Sequence, residues 1–324
     1  MIKYHISRSD FVSAPLSSIR DGFGEALVEL GRKHWNVVTV MADLGGSLRM
    51  QAFAEQFPER AFEVGVAEQN MIGMAAGMAK EGLIPFAGSF AAFSPGRTFD
   101  QIRVSVCYSN NPVKVVGGHA GVTVGPDGAT HQMCEDLAMM RALPNIEIVV
   151  PSDGPSAIAL TEATALREYP AYIRLSRAKS KALLSAKAVK FGEVTQLKPG
   201  QDVTLITMGV LVDRTMQLAF DLEDEGISAE VLLVSTLKPL EEKALIAAAK
   251  RTGRVVTLEE HQKYNGLGSA VAEVLSQHAP TPMEIIGIED TFGESGQSEE
   301  LLDAYGFERS HLLKRVLQFA ARTQ

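Results

Sequence analysis

One feature constrains this chain more than any other. Short runs rich in Val and Ile alternate with longer stretches of helical periodicity, and the alternation occurs twice. In the first half the runs are 37–44, 61–66, 82–88, 112–118, 145–151 and 171–176. Between them, 18–33, 68–81, 98–108 and 155–167 read as helices. In 68–81, for instance, Met71, Met74, Ala75 and Met78 fall on one helical face. Strands separated by helices pair in parallel, because each must return by a crossover. A second series follows: runs at 201–209, 228–235, 254–260 and 283–289, with helices over 213–224, 241–252 and from near Gly266. The Lys-rich segment 176–190 lacks a strong strand signal and reads as a linker.

The expected fold is therefore α/β, with two open, mainly parallel-sheet domains at 1–180 and 201–324 joined by a linker over 181–200. A length of 324 residues accommodates two domains and would crowd three. Lys and Arg number 31 against 39 Asp and Glu, a formal charge of -8, which disfavours nucleic-acid binding. No apolar run approaches the roughly 18–20 residues that span a bilayer, and the first residues lack the apolar core of a signal peptide. Cys107 and Cys134 are too few for a disulfide framework and read as buried thiols. A cytoplasmic protein without membrane or nucleic-acid partners is expected.

In open parallel sheets, ligands bind beyond the carboxyl ends of the strands. That directs attention to 43–47, Glu68, 90–93, 119–131, 174–177 and His261. Glu68 opens a helix crowded with glycine and alanine; alone, it could be an ordinary first-turn glutamate favoured by the helix dipole. Phe86, Phe90 and Phe93 could be core, yet Ser94, Pro95 and Gly96 break the helix there, and a loop of aromatics beside a carboxylate could clasp a flat heteroaromatic ring. The most informative stretch is GGHAGVTVGPDGATHQ at 117–132. It holds His119, His131 and Asp127 among glycines, a loop suited to a polyhydroxylated or phosphorylated ligand. The two histidines lack the clustered neighbours of a metal site, so no metal is expected on this chain. Gly266-Leu267-Gly268 superficially suggests a dinucleotide loop, but the next position of that motif is Val271, and a tight start to a packed helix is expected instead.

Taken in order, several segments resemble the C-terminal half of transketolase, a thiamine-diphosphate enzyme. They are MADLGGS (41–47), FEVGVAEQNMIGMAAGMA (62–79), the two-histidine stretch with EDLAMMRALPNIEIVVPSDG (135–154), YIRLSR (172–177), LEEHQKYNGLGSAV (258–271) and DTFGESGQSEELLDAYGF (290–307). The resemblance implies a pyrimidine-binding domain followed by a transketolase C-terminal domain, and transfer of a two-carbon ketol unit from a phosphorylated or similarly anionic ketose to an aldose. The family's diphosphate-binding domain carries GDG and a later Asn, which hold Mg²⁺ and the cofactor's diphosphate. No GDG occurs here, the nearest string being Pro126-Asp127-Gly128. A companion N-terminal subunit is therefore implied, in an α2β2 heterotetramer, with the Mg²⁺ ligands on that partner.

The resemblance also assigns residues. Glu68 matches the glutamate that bonds the aminopyrimidine ring nitrogen, Phe90 and Phe93 the aromatics that pack on that ring, and Asp43 a neighbouring cofactor-binding position. Phe93 stands where many members have Tyr. His131 and His119 match histidines that face the substrate, and Asp127 an aspartate that bonds a donor hydroxyl. Arg20, Ser47 and Arg177 match the grip on the terminal phosphate, where sulfonate offers similar oxygens. The rival readings are another thiamine-diphosphate subunit, such as a deoxyxylulose-phosphate synthase fragment or the β half of an oxo-acid dehydrogenase, and a non-catalytic ligand-binding relative.

Overall fold

A computed structural model describes residues 1–321 of the chain. Its first sheet runs Thr236–Lys238, Glu147–Val149, Ala171–Leu175, Lys114–Gly118, Ile84–Phe90, Val37–Met41 and Ala61–Glu63 from edge to edge. Every pairing is parallel except the first, where Thr236–Lys238 arrives from the second half of the chain and lies antiparallel to Glu147–Val149. The second sheet runs Ile2–Lys3, Thr195–Lys198, Ala229–Leu233, Val203–Thr207, Val255–Gln262 and Met283–Ile288. Only the pairing of Thr195–Lys198 with Ala229–Leu233 is antiparallel there. The mainly parallel α/β class expected from the alternation is what forms.

The helices obey their end signals. Ile19–Lys33 is capped by the Ser18 hydroxyl, which accepts from the Asp21 N–H, and ends in Arg32 and Lys33 against the negative pole of its dipole. It crosses Gly154–Ala165 at contact distance: a methyl group on Gly22 would stand 2.3 Å from the Gly154 carbonyl oxygen, so only glycine fits there. Asp153 caps that second helix by accepting from the Ser156 N–H, and its other oxygen accepts from the N–H groups of Leu183 and Leu184. One buried carboxylate thus fixes both a helix start and the chain that leaves the first sheet.

The segment read as linker is more ordered than its composition suggested. Lys179–Lys181 pairs antiparallel with Leu16–Ser18. Three residues of alternating charge and hydroxyl give too short a pattern to show in the sequence; the pairing comes from tertiary placement. Cys107 and Cys134 are both buried and unpaired, as expected. Among the described residues, no helix is long and apolar enough to cross a membrane.

The first sheet has a change of direction at Val37–Met41. The chain goes from it to the edge strand Ala61–Glu63, then returns to its other side at Ile84–Phe90. Carboxyl ends on either side of such a point leave a crevice. Glu68, Phe90, His119 and Arg177 all lie at or just beyond the carboxyl ends of strands at this edge.

Candidate active site

Glu68 is the first residue of helix Glu68–Lys80, and its side chain is only 3% exposed. Its Oε2 accepts from Nη1 of Arg97 at 2.7 Å. The Arg97 side chain is half exposed, and its guanidinium carbon lies 5.2 Å from the centre of the Phe93 ring. The rings of Phe93 and Phe90 are nearly parallel, 6.0 Å apart. Phe90 in turn stacks on His119 at 3.8 Å, and His131 meets the Phe93 ring edge-on at 5.3 Å. A carboxylate, two phenyl rings and two imidazoles from separate segments form one continuous contact chain.

His119 follows its strand in a left-handed conformation, φ 54, and its ring lies against Phe90. It is 3% exposed, and burial, reinforced by repulsion from Arg20, Arg177 and Arg49, pulls its pKa down to about 3. The imidazole is therefore neutral at physiological pH. Nη1 of Arg20 donates to its Nε2 at 3.4 Å. A guanidinium has no lone pair to offer, so Nε2 is the acceptor and the ring proton is assigned to Nδ1. That nitrogen is buried and has no protein partner, leaving a hydrogen-bond donor available to a ligand.

Arg20 also donates to the Ser47 carbonyl at 2.7 Å, while its Nε is buried without a partner. Burial and the neighbouring Arg49 push its pKa down, a sign of positive charge lacking full compensation. Arg177 donates to the Val124 carbonyl at 2.6 Å and faces Asp127 at 3.6 Å. Arg20 and His119 therefore keep unpartnered N–H donors close to the positive charge of Arg177 and Arg49, while Ser47 takes part through its carbonyl, a combination that suits an oxyanion. An open groove of about 800 Å³, lined by Asp21, Gly24, Val28, Gly46, Arg49 and Glu55, runs alongside this cluster. Neither Glu68 nor either histidine lines it, so its size is no guide to where the chemistry lies.

Asp43 stands apart. Its exposed side chain projects from a left-handed residue, φ 59, whose N–H donates to Glu63. His261 is also set apart: its Nδ1 bonds the Gln262 carbonyl at 2.7 Å and its Nε2 accepts from the Ala138 N–H, two backbone contacts that give it a structural role. At the start of helix Leu267–His278 the Glu259 carboxylate accepts from the N–H groups of Leu267 and Gly268. A side chain of this protein thus fills the place a phosphate would take in a dinucleotide loop.

Sequence reasoning missed Arg97, although its place four residues after Phe93 in the broken segment was a usable signal. It also missed Glu260, whose carboxylate reaches from the second half of the chain to the two-histidine loop. Nothing local in the sequence announces that contact. Among the described residues no group of three or more His, Cys, Asp or Glu could hold a metal ion.

Residues 17–181 match the transketolase pyrimidine binding domain and residues 192–312 the transketolase C-terminal domain. The chain belongs to the transketolase family. It is 37% identical, over 94% of its length and 95% of the relative's, to a 6-deoxy-6-sulfo-D-fructose transketolase subunit from a Clostridium species. It is 35% identical, over 94% of its length and 97% of the relative's, to one of the subunits of an apulose-4-phosphate transketolase from Phocaeicola vulgatus. A solved split-gene transketolase, an inactive beta4 tetramer, superposes with a TM-score of 0.86 at 40% identity, covering 95% of this chain and 99% of that one.

Proposed function

We propose that this chain is the C-terminal subunit of a split, thiamine-diphosphate-dependent transketolase that moves a two-carbon ketol unit from an anionic ketose to an aldose. The observation that carries this reading is the contact chain from Glu68 through the phenyl rings to His119 and Arg20, which joins a buried carboxylate to an oxyanion grip. Fit to the aminopyrimidine is supported by the stance of Arg97. Its planar cation already lies over Phe93 with an N–H on Glu68, so those residues accept a flat, hydrogen-bonding, electron-poor group.

When bound, the cofactor would supply a nucleophilic thiazolium carbon for the ketose carbonyl and a cationic ring as the sink for the electron pair of the adjacent carbon–carbon bond. Glu68 would hold the ring nitrogen and share its proton, with Phe93 and Phe90 orienting the ring and Asp43 contributing at the periphery. His131, hydrogen-bonded to the Thr130 hydroxyl through Nδ1 at 2.9 Å, would move protons at the substrate oxygens. His119 would donate from Nδ1 to a sugar oxygen, and Asp127 would accept from a donor hydroxyl. Arg20, Ser47 and Arg177 would bind the terminal phosphate or sulfonate, whose oxygens have similar geometry.

The Mg²⁺ and diphosphate ligands belong, on this reading, to a cytoplasmic N-terminal companion, assembled with this chain as α2β2. Two relatives named as transketolase subunits match over nearly their whole length, which supports a divided enzyme. The test is co-purification with the product of the neighbouring reading frame that carries GDG and a later Asn, followed by ketol-transfer assays on phosphorylated and sulfonated ketoses. Transfer that requires both chains and the cofactor is expected; a chain that binds no such partner and transfers nothing would overturn the reading.

A further inference from the structure

The two-histidine loop contains Gly121, Gly125 and Gly128, all at positive φ near +80. Three such residues make a loop that is costly to order, since glycine has the most backbone freedom to lose. Yet His119, Asp127 and His131 must keep fixed positions for the chemistry proposed above. Contacts within the first domain hold part of the loop, such as the Gly121 N–H on the Met133 carbonyl, and the other domain supplies further ones.

Glu260 lies in the buried part of strand Val255–Gln262 and is 2% exposed. Its Oε1 accepts from the Thr123 N–H at 2.6 Å. The carboxyl group lies so close under Gly121 that a methyl there would stand 2.3 Å from its carbon. Glu260 is itself anchored, because Nη2 of Arg174 donates to its carbonyl at 2.9 Å while Nε of Arg174 donates to Asp136 at 2.8 Å. The segment 293–298 closes on the same loop: the Ser298 hydroxyl donates to the Thr123 carbonyl at 2.8 Å, and Gln132 donates to the Glu294 carbonyl at 2.9 Å. Val124, next to Thr123, accepts from Arg177 of the oxyanion grip.

We propose that Glu260 is a positioning residue for ketol transfer: it seats the Gly121–Thr123 turn, with Ser298 as a second tether, and thereby sets where His119, Asp127 and His131 stand. The C-terminal domain thus acts on the reaction by bracing the loop, without touching substrate. This inference rests on the function proposed above, and its test separates the two. Hydrogen exchange is measured across 121–132 in Glu260→Ala, Glu260→Gln and Ser298→Ala, and kcat/KM for the ketose donor in the enzyme reconstituted with its companion.

Glu260→Ala is expected to speed exchange in the loop and to lower kcat/KM by about tenfold to a hundredfold, the scale of a displaced catalytic group. Glu260→Gln keeps an acceptor for the Thr123 N–H and should stay within roughly threefold of wild type in both readouts. A merely structural carboxylate would not give that rescue together with loop exchange confined to 121–132. Ser298→Ala removes a half-buried tether and leaves the core intact. It should move both readouts in the same direction by a smaller factor, and it decides the matter if Glu260→Ala does not fold. Unchanged exchange, or faster exchange with kcat/KM unaltered, would overturn the proposal. If the reconstituted wild type transfers no ketol unit, the functional reading fails, and the exchange data alone decide whether Glu260 holds the loop.

Discussion

Nη1 of Arg97 stands 2.7 Å from Oε2 of Glu68, and the same guanidinium covers the Phe93 ring. Glu68 is buried while Arg97 is half exposed, so this one side chain supplies the counter-charge the carboxylate would otherwise lack. Arg97→Ala should destabilise the isolated chain by about 1–3 kcal/mol, the cost of leaving a buried charged acceptor unpaired. Chemical denaturation measures this; a midpoint equal to wild type would show that water satisfies Glu68 without Arg97.

Arg20 offers a second prediction. Its Nη1 donates to both the Ser47 carbonyl and His119 while Nε, elsewhere on the same rigid plane, stays unpartnered, a spread of donors that an ammonium group cannot reproduce. Arg20→Lys should raise the KM for an anionic ketose by about tenfold to a hundredfold with little change in kcat, the pattern of lost ground-state binding. Steady-state kinetics on a phosphorylated ketose and its uncharged analogue provide the check. Equal losses on both substrates would remove Arg20 from the anion grip.

The buried histidines predict a spectroscopic result. Burial pulls His119 down to about 3 and His261 to about 4, so both should stay neutral at about pH 5.5, below the ordinary histidine value. His261 donates from Nδ1 to a carbonyl and should show the Nδ1–H tautomer. Long-range ¹⁵N correlation spectra report both properties. A histidine ring at either position that is protonated at that pH would contradict the packing described.

Stability should respond to the buried carboxyls and to His261 in opposite directions. Burial raises Glu260 and Glu259 to about 7, above their unfolded value. Each holds its proton in the folded state after the unfolded chain has released it, so its stabilising contribution is complete below the unfolded pKa and is lost as pH rises through about 7. His261 does the reverse: its contribution is present above the ordinary histidine value and is lost as pH falls through about 4. Glu260→Gln should therefore lose less stability than wild type as pH rises from about 4.5 to 7. Thermal midpoints across that range give the comparison, and identical slopes would remove Glu260 from the set of buried titrating groups.

Much of this was legible in the sequence because parallel α/β units repeat a local pattern. Val37–Met41 is wholly buried and wholly apolar apart from Thr39, and helices such as Glu68–Lys80 begin where their first charged residue says they should. The edge of the sheet that gathers Glu68, Phe90, His119 and Arg177 follows from strand order and a general rule about carboxyl ends. What stayed hidden depends on distant contacts. Thr236–Lys238 joins the sheet of the other half through only two register positions, and Lys179–Lys181 becomes a strand only beside Leu16–Ser18. Arg97 and Glu260 were missed for the same reason: the importance of each lies in a partner 29 and 137 residues away.

The central claim is that Glu68 and the histidine loop serve two-carbon transfer, and carbon tracing tests it most directly. The chain and its companion are supplied with thiamine diphosphate, Mg²⁺, an anionic ketose labelled at its first two carbons, and an aldose acceptor. The label should appear in the first two carbons of a ketose two carbons longer than the acceptor, and Glu68→Ala should lower its rate of appearance by about a hundredfold to ten-thousandfold. Label that never enters the lengthened product, or transfer by Glu68→Ala at the wild-type rate, would contradict the account.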